Sequence, residues 1–206
     1  MRQSLRLTLA GLAPLAFLVA PTVARAQASA VAPAAPPAAP AAATLAAPEV
    51  GTPAPDFTML AVGGSGGAAA PLSLAALRGK VVVLAFYPKD KTGGCTAELT
   101  KFRDEYAGLF GARAGTDVVV VPVSADGLAS HAAWATEARF PFALASDSTL
   151  AVADRYGSRR PGAAYSNRTV FVIGKDGVVK YRDLKFNALS QDAYTQLAAA
   201  VRQAAG

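Results

Sequence analysis

The chain has 206 residues, 52% of them hydrophobic, with a single cysteine and a single histidine. An internal disulfide and a multi-histidine metal site are therefore excluded. The formal net charge is +6, but Arg2, Arg6 and Arg25 lie in an N-terminal segment without acidic residues, so the rest of the chain carries +3. Because no basic tract with interleaved aromatic residues remains, the composition gives no support for nucleic-acid binding.

Residues 1–26 have the pattern of a secretory signal peptide. Arg2 and Arg6 precede an apolar run over residues 7–19, and the small-residue pattern Ala24-Arg25-Ala26 follows it. A membrane anchor is the alternative, but the apolar run is shorter than the roughly 20 residues that a bilayer-spanning helix needs. We therefore expect cleavage, a periplasmic or secreted mature protein, and no stable membrane insertion once the signal is removed.

Residues 27–48 consist mainly of alanine, proline and other small residues. Such a segment has too little bulky apolar surface to offset the entropy lost on ordering, so it predicts a flexible linker. The remaining residues, 49–206, have a length that suits one folded domain.

Within residues 49–206, apolar and β-branched runs alternate with helical patterns. Strands are predicted over residues 81–86, 118–123, 169–173 and 178–181, and a short one over residues 142–144. Helices are predicted over residues 96–110, 128–139, 149–156 and 191–203, with Ser148 and Ser190 as N-caps of the last two. Residues 63–67 and 174–177 predict turns, the second of them within a hairpin.

This order of elements describes an α/β fold with a mixed central sheet flanked by helices, compatible with a thioredoxin-like fold. Cys95 follows the strand 81–86, beyond a turn rich in Pro and Gly and at the start of a predicted helix. Open α/β sheets bind ligands at this edge. A thiol at a helix N-terminus meets unpaired backbone N–H groups and the positive end of the helix dipole, which favour its thiolate. The alternative is a buried, unreactive cysteine.

The segment Pro88-x-x-x-Thr92-x-x-Cys95 resembles the active-site signature of the peroxiredoxins, the AhpC/TSA superfamily. The adjoining Gly94-Cys95-Thr96-x-Glu98 is similar to the bacterioferritin-comigratory, or Q-type, subfamily. Further similar segments lie at residues 51–57, 77–80, 121–126, 146–147 and 167–173. The resemblance implies a thioredoxin-like fold and thiol-dependent reduction of hydrogen peroxide and organic hydroperoxides, an activity of antioxidant defence.

The resemblance also implies roles for particular residues. Cys95 is the expected nucleophile and forms a sulfenic acid. Thr92 is expected to hydrogen-bond the thiolate and the peroxide through its hydroxyl, and Arg168 to supply a permanent cation beside both. Pro88 is expected to shield the thiolate from water, and the backbone N–H groups of Gly94 and Cys95 to bind the substrate.

Two positions depart from the subfamily pattern. Gly93 stands where the related signature usually has proline, which predicts a more mobile loop. Thr100 occupies the position where many Q-type members carry a resolving cysteine. Cys95 therefore has no internal partner, and we expect an external thiol to reduce it: a thioredoxin-like protein, a glutaredoxin-like protein or a small thiol. No cofactor or metal is expected, and the protein is expected to be a monomer or a homodimer.

An alternative function is an exported thioredoxin-like binding or metal-carrier module without peroxidase activity. A copper site would need at least two soft ligands, and one cysteine with a distant histidine fits this poorly. His131 lies on a predicted helix, where we expect it to pack or hydrogen-bond rather than ligate a metal. We expect Trp134 to pack either in the core or at a partly exposed position. Arg159 and Arg160 are expected to be solvated loop charges, with lining of the substrate loop as the alternative.

Overall fold

A computed structural model of the chain describes residues 46–111 and 117–206. The predicted signal peptide and all but the end of the predicted linker lie outside these residues. At that end, the carbonyl oxygens of Ala47 and Pro48 each accept a hydrogen bond from Arg182 Nη1 at 3.2 Å. Residues 47 and 48, which were assigned to the linker, are therefore attached to the folded part of the chain.

The β-branched and apolar runs form the strands of one sheet. These strands are β1 (Thr58–Val62), β2 (Ala69–Ser73), β3 (Val81–Phe86), β4 (Val118–Ser124), β5 (Leu144–Ser146), β6 (Thr169–Ile173) and β7 (Val179–Asp183). Their order across the sheet is β2-β1-β5-β4-β3-β6-β7. The pairs β3–β4 and β4–β5 are parallel and the other pairs are antiparallel, so the sheet is mixed, as predicted.

Helices pack on both faces of this sheet. They are α1 (Gly93–Asp104), α2 (Tyr106–Phe110), α3 (Leu128–Ala138), α4 (Ala151–Arg155) and α5 (Gln191–Ala205). β3 is buried along its whole length because alternate side chains enter two separate cores. Val83 belongs to the core that contains Leu99 of α1 and Leu197 of α5, and Leu84 to the core that contains Val152 of α4. Among the described residues, none of the helices is long and apolar enough to cross a membrane.

The predicted helix over residues 96–110 differs from the observed one at its start and in its middle. α1 begins at Gly93, and Glu105, with φ −105° and ψ 20°, separates it from α2. The break lets the chain turn so that Leu109 and Phe110 still enter the core. Apolar periodicity continues across such a break, which is why the pattern predicts one helix instead of two.

The part of the sheet formed by β2, β1 and β5 differs more from the sequence-based prediction than the rest does. β1 and β2 were not predicted, because β2 is exposed or half-exposed along its length and contains Pro71, so it lacks the apolar alternation of a half-buried strand. The short strand β5 begins two residues later than the predicted strand at 142–144. Residues 63–67 form a turn that contains a short 3-10 helix (Gly64–Gly66), consistent with the predicted turn.

The predicted cap of the helix at residues 149–156 is wrong. α4 begins only at Ala151, and Leu150 before it adopts a left-handed conformation with φ 61°. The carboxylate of Asp147, not the hydroxyl of Ser148, accepts the hydrogen bonds of the first turn, from the backbone N–H of Val152 at 3.0 Å and of Ala153 at 2.7 Å. Ser190 does precede α5, but its side chain makes no capping hydrogen bond.

Candidate active site

Cys95 lies in the first turn of α1, immediately beyond the loop that follows β3. It is 1% exposed and it is a free thiol. The carbonyl of Thr92 accepts the N–H of Thr96 at 2.8 Å, and the side chain of Thr92 makes no capping hydrogen bond to the helix. The earlier N–H groups of the helix, including those of Gly94 and Cys95, have no intrahelical partner and remain available to an anion at the helix N-terminus. The buried alternative is thus right about burial, but the thiol lies in the first turn of a helix and not in the middle of the core.

Arg168 reaches Cys95 from a distant part of the sequence. Phe86, the last residue of β3, pairs with Thr169, the first residue of β6, so Arg168 lies beside the loop that leads to α1. Its Nη2 donates to Sγ of Cys95 at 3.3 Å. The side chain of Arg168 is 18% exposed. Burial opposes the charge of the guanidinium, but the neighbouring Glu98 and Cys95 outweigh this effect and raise the pKa of Arg168.

Glu98 completes this cluster and was not among the predicted site residues. It lies one helical turn after Cys95, it is fully buried, and its Oε2 accepts a hydrogen bond from Nη1 of Arg168. Its Oε1 has no hydrogen-bond partner among the residues that the structure describes. Burial raises the pKa of Glu98 from 4.5 to about 7, although the charge of Arg168 acts in the opposite direction. The spacing Cys-x-x-Glu was the available signal, because residues three apart share a helix face.

Thr92 is the N-cap residue of α1, but its hydroxyl does not donate a hydrogen bond to the sulfur of Cys95. Oγ1 of Thr92 donates instead to the carbonyl oxygen of Lys89 at 3.0 Å, and the residue is exposed. This bond closes the loop on itself just before the helix. A hydrogen bond from Thr92 to the thiolate or to a peroxide would require rotation of the hydroxyl away from Lys89, so the catalytic role of Thr92 stays a prediction.

Gly94 lies directly against the guanidinium. A methyl group added at this residue would lie 3.0 Å from Nη2 of Arg168, whereas one added at Gly93 would meet no atom within 4 Å. The absence of a side chain at Gly94 therefore permits the close approach of Arg168 to the helix start. Pro88 is half-buried at the beginning of the loop, and its predicted shielding of the thiolate stays a prediction.

A buried polar network holds the loop between β3 and α1 from the other side. The carboxylate of Asp90 accepts hydrogen bonds from Tyr87 Oη and from Ser130 Oγ, each at 2.7 Å, and lies 2.9 Å from Nδ1 of His131. The backbone N–H of Asp90 donates to the carboxylate of Asp126 at 2.8 Å. Burial opposes ionisation of Asp90, but the hydrogen bonds from His131 and Ser130 outweigh it and lower the pKa of Asp90.

The network explains two residues that the sequence singled out. His131 is fully buried and hydrogen-bonded, which confirms the expectation that it packs or hydrogen-bonds, and Trp134 is buried against the rings of Tyr87 and Phe140. Burial, with the charge of Asp90 adding to it, raises the pKa of Tyr87 well above its ordinary value, so the phenol stays a hydrogen-bond donor.

Arg159 and Arg160 each have a partner of their own. Arg159 pairs with Asp154 at 2.9 Å, and the guanidinium of Arg160 lies 5.8 Å from the centre of the Tyr165 ring. Neither is among the residues bonded to Cys95. Across residues 46–111 and 117–206, no group of three or more His, Cys, Asp or Glu side chains is arranged to hold a metal ion.

Comparison with known proteins gives the same identification by sequence and by structure. The model of the AhpC/TSA family matches residues 50–182. A putative peroxiredoxin bcp of Coxiella burnetii is 40% identical over 137 residues, which are 64% of this chain and 85% of the relative. A chloroplastic peroxiredoxin Q of Triticum aestivum is 40% identical over 113 residues, 53% of this chain and 49% of the relative, so the chain spans about half the length of that protein.

Among solved structures, the peroxidoxin BcpB of Mycobacterium tuberculosis superposes with a TM-score of 0.61 at 30% identity, covering 76% of this chain and 97% of that one. Its likeness to the present seven-stranded sheet confirms the predicted thioredoxin-like fold.

Proposed function

Because this chain belongs to the AhpC/TSA family and is a peroxiredoxin, a thiol-dependent peroxidase, we propose that Cys95 is the nucleophile that reduces hydrogen peroxide and organic hydroperoxides. The observation that chiefly supports this assignment is the guanidinium of Arg168, 3.3 Å from the sulfur of Cys95. A permanent cation at that distance stabilises a thiolate and the negative charge that develops during attack on a peroxide.

In the oxidation step, the thiolate of Cys95 attacks the terminal oxygen of the peroxide. The S–O bond forms as the O–O bond breaks, and the other oxygen leaves as hydroxide or alkoxide, which takes a proton from water. Cys95 becomes a sulfenic acid. Arg168 and the N–H groups of Gly94 and Cys95 bind the oxygens that carry the developing charge, and Glu98 holds the guanidinium in place by its hydrogen bond.

In the reduction step, an external thiol attacks the sulfur of the sulfenic acid. A mixed disulfide forms and water leaves; a second thiol then attacks this disulfide, which restores the Cys95 thiol and releases the oxidised reductant. The chain contains no second cysteine that could take the place of the external thiol. We propose a thioredoxin-like protein, a glutaredoxin-like protein or a small thiol as the reductant of this step.

The proposed setting is antioxidant defence outside the cytoplasm, in the periplasm or as a secreted protein. The motive is the signal-like pattern of residues 1–26, with Arg2 and Arg6 before an apolar run and a small-residue pattern at its end. We propose that the mature protein acts as a monomer or a homodimer and does not insert stably into a membrane. Cell fractionation with an antibody against the folded domain tests this location, and recovery of the protein in the cytoplasmic fraction would contradict it.

The catalytic proposal is tested by comparing the wild type with Cys95→Ser. We expect the wild type to consume peroxide only when a thiol is supplied, and Cys95→Ser to consume it no faster than the thiol alone. Without a thiol, intact-mass measurement of the wild type should show the addition of one oxygen and then, with excess peroxide, of two. Equal peroxide consumption by both proteins would refute the assignment of Cys95. An equimolar copurifying metal together with an inactive wild type would favour the metal-carrier alternative.

A further inference from the structure

A shallow cleft of about 290 Å³ opens beside the proposed catalytic arginine. Its lining consists of Asn167, Arg168, Leu184, Lys185 and Phe186. These residues come from the segment that enters β6 and the segment that leaves β7, and the N–H of Phe186 donates to the carbonyl of Arg168 at 3.2 Å. Backbone pairing therefore fixes the two walls of the cleft relative to each other. Arg168 lines the cleft and also donates to the sulfur of Cys95, so this one side chain connects the cleft with the proposed reacting atom.

The polar lining of this cleft offers hydrogen-bond donors and no carboxylate. Lys185 is exposed, and its ammonium group has no hydrogen bond or ion pair with any residue that the structure describes. Lys91 and Lys180, by contrast, pair with Glu137 and Asp176. The side-chain amide of Asn167 likewise has no partner within residues 46–111 and 117–206. The ammonium group of Lys185 and the amide N–H groups of Asn167 can therefore both donate hydrogen bonds to an anionic oxygen group of a ligand.

The remaining lining of the cleft is apolar. Leu184 is 40% exposed, which leaves a large part of a leucine side chain in contact with water, and Phe186 beneath it is buried. An exposed leucine next to unpaired donors favours a ligand with an apolar stem and a charged end. When the stem packs on Leu184, the apolar surface of the stem and that of the leucine are both removed from water.

We propose that this cleft is a subsite for a small co-substrate that carries a carboxylate. Lys185 and Asn167 bind the carboxylate, Leu184 contacts the apolar stem, and the reactive end extends past Arg168 to Cys95. The inference rests on the proposed peroxidase function. Two co-substrates of that reaction share this chemistry: an organic hydroperoxide with a carboxylate, which would oxidise Cys95 to the sulfenic acid with release of the alcohol, and a thiol with a carboxylate, which would form the mixed disulfide with release of water.

The test compares acids with their uncharged esters, so that only the carboxylate differs. The oxidant pair is an ω-hydroperoxy carboxylic acid and its methyl ester, and the reductant pair is 3-mercaptopropionate and its methyl ester. Rate constants for oxidation of Cys95, and for reduction of its sulfenic acid, are measured for the wild type, for Lys185→Gln and for Lys180→Gln. Lys180→Gln removes one positive charge from β7 at an exposed residue outside the cleft, which makes it the control for the change in net charge alone.

We expect Lys185→Gln to lower the acid-to-ester ratio of rate constants by up to about fivefold in one of the two pairs, the upper end of the range for an exposed charge pair. A loss in the hydroperoxide pair identifies the oxidant as the ligand, and a loss in the thiol pair identifies the reductant. An unchanged ratio in both pairs, or an equal loss in Lys180→Gln, would overturn the proposal. The rate with hydrogen peroxide serves as the separate measure: it should be equal in all three proteins, and failure of hydrogen peroxide to oxidise Cys95 would refute the proposed function itself.

Discussion

The substitution Glu98→Gln should remove the pH dependence of the free energy of unfolding that arises from the buried carboxyl group of Glu98. Glu98 is fully buried, and burial raises its pKa from 4.5 to about 7. A group whose pKa is higher in the folded state stabilises the fold below its unfolded pKa and loses that contribution as the pH rises through its folded pKa. The affected window therefore extends from about pH 4.5 to just above pH 7.

The size of the effect follows from the same two values. They differ by about 2.5 pH units, and each unit corresponds to about 1.4 kcal/mol, so ionisation of Glu98 costs the folded state about 3 kcal/mol. Glutamine cannot ionise, but its side-chain oxygen can still accept the hydrogen bond from Arg168. We expect the free energy of unfolding of Glu98→Gln, minus that of the wild type, to increase by about 3 kcal/mol between pH 4.5 and pH 8.

Urea unfolding of both proteins at intervals of pH measures this difference. Taking the difference cancels the titration of all other groups, and any constant effect of the amide shifts the whole curve without changing its slope. The control is Glu105→Gln, because Glu105 also accepts a hydrogen bond from a cation, Lys101, but its side chain is 45% exposed. The free energy of unfolding of this variant, minus that of the wild type, should change by no more than about 1 kcal/mol over the same range, the size of an exposed ion pair. If the difference in the free energy of unfolding between Glu98→Gln and the wild type did not change between about pH 4.5 and pH 8, the reasoning would be refuted. Such a result would mean that the charge of Arg168 keeps Glu98 ionised in the folded protein over this whole range.

Three further substitutions test how the site is held together. Arg168→Met should leave the fold intact but slow oxidation of Cys95 by hydrogen peroxide about 100-fold, because it removes a donor directed at developing charge; an unchanged second-order rate constant in stopped-flow measurements would contradict its proposed role. Gly94→Ala should place a methyl group 3.0 Å from Nη2 of Arg168 and slow the same reaction at unchanged or higher thermal stability, whereas Gly93→Ala, with no atom within 4 Å, should not slow it. Asp90→Asn should cost about 1–3 kcal/mol in urea unfolding and speed amide hydrogen exchange in residues 88–96, because it removes the charged acceptor shared by three side chains; unchanged exchange would show that the network does not restrain the loop.

Features of this protein with a local signature could be predicted from its sequence. The valine-rich run of β3 indicates a strand buried on both faces, and the turn after it places Cys95 at a helix start, because these patterns depend on residues close together in the chain. The order of strands and helices indicated the mixed sheet. Strands β1 and β2 were not predicted because they depend on pairing between distant residues: β1 pairs with β2 and with β5, and only part of the surface of the two strands is buried.

The pairing across the active site was decided by tertiary structure. The family resemblance pointed to Arg168, but nothing near residue 168 shows that its guanidinium contacts a sulfur 73 positions earlier; the antiparallel register of β3 with β6 brings the two together. The same holds for Glu98 and Asp90. As residues of a sequence they are ordinary carboxylates, and as residues of the fold they are buried, one beside a guanidinium and the other among three donors. Burial and the choice of partner depend on which elements pack against each other. For that reason the sequence could point to Cys95 as the candidate nucleophile, whereas the fold determined which charged groups surround it.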